Sequence, residues 1–161
     1  MMKTIIELVD GNAGLLEAMV ADIPDDRMCH QPANVPNHPA WQVGYLAFVR
    51  ANMAKLLGGA GEMPEAWAAL FKTGSTPLAE RSAYPSKDEL LSAFRRLHRE
   101  AVAALARADA ATLAGPHPIV ALRGPFPTLG HLVIGLLTMH DGLHLGQISN
   151  WRRANGLPRM M

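Results

Sequence analysis

His140 and His144 are the residues of this sequence whose spacing most directly suggests chemistry. They stand four apart in the run TMHDGLHLGQISNWRRANGLP, where apolar residues recur at helical period. Two histidines at i and i+4 of a helix project from one face, and such a pair can share one metal ion. Leu129, Val133, Leu136, Leu143, Gln147 and Trp151 fall on the same side. The pair is therefore expected to face inward, where an imidazole needs a partner. The same spacing also suits two core-edge histidines held only by hydrogen bonds. Gln147, one turn further on, extends the polar stripe and is placed to hold a water, orient a ring or cap a polar cluster. A catalytic zinc-type site takes three protein ligands and an open position, so a third donor must come from another helix. His98 borders the apolar stripe of the third helix. His30 and His38 precede the second helix, within reach of the bundle mouth. His131 lies more than two turns before His140, and His117 is expected to face solvent from a Pro-rich loop. Asp141 adjoins His140 but points about 100° away around a helix, which suits a supporting or surface acid better than a ligand.

Other constellations carry less. Cys29 beside His30 gives a thiol next to a base, but neighbours in sequence seldom have the geometry for nucleophilic attack. Arg95, Arg96 and Arg99 make a small basic face of the kind that solvates a helix. Trp41, Trp67 and Trp151 suit core or interface anchors better than a base-stacking platform. No phosphate-cradling Gly-rich loop or nucleotide fingerprint is found.

The elements that must position these residues read as helices. Ile5, Val9, Ala13, Leu16, Val20 and Ile23 form one stripe that Pro24 ends. A second helix starts at His38-Pro39, carries Trp41, Tyr45, Phe48, Val49, Met53 and Leu56, and closes at Gly58-Gly59. A short piece spans Pro64 to Phe71. The third long helix opens on Ser86 and Glu89 in capping-box spacing, with Leu90, Phe94, Leu97, Ala101 and Leu105 as its stripe. The fourth runs from about Thr128 to Asn155, before Gly156 and Pro158. Residues 24–38 and 109–127 read as long loops. The pattern predicts an all-α four-helix bundle with long crossover loops, a single domain over residues 1–161.

Composition sets the frame. The chain has 161 residues, 49% hydrophobic and 18% charged, which excludes a disordered protein. Its 15 Lys and Arg against 14 Asp and Glu give a net charge of +1, against nucleic-acid binding or an anionic membrane surface. One cysteine excludes an internal disulfide or a Cys-rich zinc site. The start MMKTIIELVD meets Glu7 and Asp10 too early for a secretory signal. The apolar stretch from Leu132 to Met139 falls far short of the roughly 20 residues of a membrane span. A cytoplasmic location is the expectation.

Two blocks carry a resemblance. NHPAWQVGYLAF at residues 37–48 and FPTLGHLVIGLLTMHDGLHLGQISNWRRANGLP at residues 126–158 resemble the second and last helices of the DinB/YfiT-like four-helix bundles. The resemblance spans nearly the whole chain, and the HD-x-x-H-x-GQ core followed by an Arg pair is its most specific part. It implies a metalloenzyme in which three histidines hold one divalent ion, zinc or nickel. His140 and His144 match the pair on the last helix. The third histidine belongs to a G-H-L-A block on the second helix, which here reads Gly44-Tyr45-Leu46-Ala47. Tyrosine therefore replaces a ligand. Tyr45 can coordinate as a phenolate, although a phenol ionises only near pH 10 unless a metal drives it. It can instead donate a proton or hydrogen-bond to a metal-free histidine pair, or His38 or His98 can substitute after a local shift. Gln147 and Asp141 are expected to support the ligands from behind. The resemblance further implies a metal-dependent thiol S-transferase or hydrolase acting on a small molecule, with a low-molecular-weight thiol as cosubstrate, and a homodimer. The alternative is a non-enzymatic, metal-free bundle that binds a small ligand or a partner protein.

Overall fold

The computed structural model describes residues 1–158 and 160. Helix α1 (Met2–Ala21) buries Val9, Ala13, Leu16, Met19 and Val20, close to the stripe its sequence predicts. Helix α2 (Pro39–Leu56) starts where a proline costs nothing, at the first helical position. Its N-cap is His38, whose Nδ1 accepts the Trp41 backbone N–H at 3.2 Å. Helix α3 (Glu65–Phe71) is the short predicted piece. Helix α4 (Lys87–Arg107) carries the capping box, with Ser86 and Glu89 satisfying each other's backbone N–H groups.

The predicted loop at 109–127 holds more structure than its composition suggests. Helix α5 (Ala110–Ala114) is capped by Asp109, which accepts the Thr112 N–H at 2.7 Å, and a 3-10 turn covers Val120–Leu122. Pieces of three to five residues are too short to show a periodic stripe.

The fourth predicted helix is continuous but not uniform. Helix α6 (Leu129–Gly135) leads into a π-helical segment, Leu136–His140, and then into α7 (Asp141–Ala154). The wider turn takes up an extra residue, so buried positions step by four: Val133, Leu137, Asp141, Leu145. Asn12 of α1 donates to the Thr138 carbonyl at 3.1 Å, and the Thr138 hydroxyl donates to the Ile134 carbonyl at 2.6 Å. These bonds occupy main-chain acceptors in the stretch where the regular ladder is displaced. Ideal helical spacing places Leu143 inside and Asp141 off the inner stripe. The structure corrects both: Leu143 is 61% exposed and Asp141 is 1% exposed.

The four long helical units pack in a ring, with α2 against α4 and α7, and α1 against the same two. The fold is an all-α bundle, and no strand occurs among the described residues. Helix α2 is the most enclosed and buries residues on all sides, Arg50 included. Two apolar clusters fill the interior, one around Trp151, Phe94 and Met19, the other around Met53, Leu105 and Val133. Tyr45 packs against both. No helix among the described residues is long and apolar enough to cross a membrane.

Candidate functional site

Helix α2, the end of the π-helical segment and helix α7 bring Tyr45, His140 and His144 together. The Nε2 atoms of His140 and His144 lie 3.1 Å apart. The Tyr45 ring centre is 4.9 Å from that of His144 and 5.5 Å from that of His140. Tyr45 is held in place by stacking on Trp41, one turn earlier, with centroids 4.8 Å apart and planes 7° from parallel. The preceding Gly44 lets α3 close over this turn of α2, since a Cβ there would lie 2.2 Å from the Phe71 ring.

A chain of amides fixes the orientation of His144. The Gln147 Oε1 accepts from Asn37 Nδ2 at 2.9 Å and from Gln42 Nε2 at 2.6 Å. The Gln42 carbonyl oxygen is thereby turned toward His144 Nδ1, to which it is hydrogen-bonded. An amide oxygen only accepts, so His144 carries its proton on Nδ1 and offers the Nε2 lone pair toward His140. Gln42 is fully buried and was not among the candidates read from sequence. Its signal was available: it lies one turn before Tyr45, a lone polar residue in the apolar block PAWQVGYLAF. Gln147 does support the site, through Gln42 rather than by touching a ring.

Both imidazoles are held neutral. Burial pulls His144 down to about 4, helped by the neighbouring His140. Burial also lowers His140, with Asp141 opposing the shift and Arg50 adding to it. Asp141 itself pairs with Arg50 in a buried bidentate bridge, at 2.6 and 3.2 Å. Arg50 also donates to the Leu46 carbonyl at 3.3 Å and to His98 Nδ1 at 3.2 Å, and lies 4.3 Å above the Phe94 ring. His98 continues the chain to Asp10 at 2.8 Å. Asp141 is thus neither a surface acid nor bonded to an imidazole. It anchors the start of α7 to α2 directly behind the histidine pair.

The remaining histidines are placed elsewhere. His38 is occupied as the α2 N-cap, its other nitrogen bonded to the Leu78 carbonyl at 2.9 Å. His98 is committed to Arg50 and Asp10. Neither stands in for the missing third ligand. His30 and His131 are exposed, whereas His117, expected in solvent, is 1% exposed and bonded to the Phe126 carbonyl at 2.7 Å. Cys29 is buried, and burial raises its thiol pKa, which makes it a poor nucleophile. Arg95 pairs with Glu17 at 2.8 Å and Arg96 donates to the Glu62 carbonyl, both on the protein's own surface.

His140 and Tyr45 face a cavity of about 830 Å³ between α2, the 119–126 segment and the π-helical segment. Phe48, Val49, Met53, Leu136 and Phe126 supply much of its wall. The size is in the range of small-molecule sites, which are mostly apolar with a few placed polar groups.

The family model described as the DinB superfamily matches residues 9–148. The chain belongs to the DinB superfamily. No curated protein and no solved structure matches it. In this DinB-superfamily chain the donor set fits a divalent ion in part. The Nε2 separation is less than twice a zinc–nitrogen bond of about 2.1 Å, so one ion can touch both. His144 gives its second nitrogen to Gln42, as a ligating histidine ordinarily does. His140 Nδ1 is buried without such a partner. Among the described residues no group of three or more His, Cys, Asp or Glu side chains converges, and no hydrogen bond joins the Tyr45 hydroxyl to either ring. The residues therefore fit a two-imidazole site, not a three-histidine one.

Proposed function

We propose that this DinB-superfamily chain is a metal-dependent thiol S-transferase or hydrolase acting on a small molecule in the cavity beside His140. His140 and His144 would hold the ion, and Gln42 keeps His144 in the tautomer that leaves its Nε2 free for it. Arg50 and Asp141 fix the helices behind the pair. Tyr45, on the cavity wall beside both rings, donates a proton to the departing group. The chemistry supplied by bound zinc or nickel is that of a Lewis acid, which lowers the pKa of the attacking water or thiol. A low-molecular-weight thiol is the cosubstrate of the transfer. One observation carries this proposal: His140, on the wall of a mostly apolar cavity, brings its Nε2 to 3.1 Å from that of His144 behind it.

A second reading, a metal-free bundle that binds a small ligand without chemistry, is favoured by one feature. Tyr45 stands where the superfamily resemblance expects the third imidazole. Cobalt(II) titration separates the two. Metal-dependent chemistry predicts d–d bands that appear with cobalt and vanish in His144→Ala. It also predicts roughly tenfold or greater tightening in Tyr45→His, which restores a third imidazole. A wild type without bands, folded by circular dichroism, supports the metal-free reading.

A further inference from the structure

The cavity has two polar ends and an apolar middle. Along α2 its wall is formed by Tyr45, Phe48, Val49, Asn52, Met53 and Leu56, one helical stripe of three turns. At about 1.5 Å per residue this stripe is roughly 16 Å long. The Tyr45 end meets His140. Toward the other end the lining includes Asn52 and Lys55. Lys55 is exposed and has no carboxylate within ion-pair distance among the described residues. No carboxylate lines the cavity at all among the described residues. Lys55 also borders a neighbouring depression lined by Glu62, but within the elongated apolar slot it meets no acid.

We infer that the cavity takes an amphipathic anion, a medium-length alkyl or aryl chain with a carboxylate at the Lys55 end and its far end toward His140. A neutral apolar ligand would gain from the wall but leave Lys55 without a partner. A cationic ligand would meet Lys55 at the mouth with no acid in the slot to hold it. The position of the far end beside the imidazole pair rests on the proposed function. The anionic group at Lys55 and the shape of the ligand do not.

Calorimetric titration of the full chain with octanoate, 1-octanol and octylammonium tests this. Octanoate is expected to bind tightest and octylammonium weakest. Lys55→Met is expected to weaken octanoate about fivefold, the scale of a partly solvated ion pair, and to leave octanol unchanged. Ala121→Trp is a change at an exposed position of the cavity lining, and it is expected to weaken both octanoate and octanol by obstructing the slot. Octanol binding as tightly as octanoate, or octanoate indifferent to Lys55→Met, overturns the assignment of an anion. Binding unaffected by Ala121→Trp overturns the assignment of this cavity. Cobalt binding is read separately, so failure of the ligand assignment leaves the imidazole pair standing, and the reverse also holds.

Discussion

Gln42 shows how a residue with no chemistry of its own sets the chemistry of another. Its side-chain oxygen is committed to His144 because its nitrogen is committed to Gln147. Gln42→Leu removes the acceptor and frees the His144 tautomer. The expected result is a shift in the ¹⁵N imidazole signals from the Nδ1–H form toward a mixture, with cobalt affinity falling about 10- to 100-fold. Unchanged ¹⁵N shifts would show that another group orients the ring. His38 illustrates the opposite case, a histidine drawn into structure. Burial pulls it down to about 4 from an ordinary 6.5, with the Arg81 charge adding to the shift and the bond to the Leu78 carbonyl opposing it. The folded state therefore binds fewer protons than the unfolded state as pH falls below 6.5. Stability from this residue is complete above that pH and is lost progressively toward pH 4. Between pH 7 and pH 5 the loss from His38 should be about 2 kcal/mol. His38→Asn keeps a capping acceptor without the titration, so urea unfolding at the two pH values should give a smaller difference than in the wild type. An equal difference would remove His38 as the cause.

At the scale of elements, the π-helical turn decides which residues of the last helix reach the interior. A regular helix would leave Asp141 outside the inner stripe. The widened turn brings it against Arg50 of α2, which is itself fully buried. A buried ion pair gains little over apolar residues of similar volume, but breaking it strands a charge. Asp141→Asn alone should cost about 3–5 kcal/mol in urea unfolding. The double variant Arg50→Met with Asp141→Leu should recover most of that loss. A double variant as unstable as the single would mean that the pair contributes through packing that the apolar residues cannot reproduce. Gly135 serves the same region, because a Cβ there would lie 2.4 Å from the Phe126 ring that helps wall the cavity. The long helices and their caps could be read in advance because apolar residues recur at 3.6 and the capping residues sit at fixed offsets. The π-helical turn could not, since the pattern 129, 133, 136, 140 looks the same whether or not one turn is wide.

For the whole molecule, the bundle and the meeting of Tyr45 with His140 and His144 were legible because all three lie on the two long helices that the blocks at 37–48 and 126–158 mark out. The partners of the site were not. Arg50 and Asp141 are charged and by type belong on the surface; only the enclosure of α2 on all sides explains their burial. The cavity was invisible because its far wall is the 119–126 segment, whose fold rests on a short capped helix and on bonds from His117, Arg123 and Phe126 that carry no periodic signal. His117 was misjudged for the same reason. What unifies the molecule is the seam between α2 and the last helical unit, which holds one buried ion pair and the His140–His144 pair side by side. Anomalous diffraction from crystals of the protein grown with nickel or zinc tests this most directly. An anomalous peak bonded to Nε2 of both His140 and His144, with Gln42 still on His144 Nδ1, is the predicted result. An ion held by other side chains, or the two rings turned apart with the metal present, would contradict it.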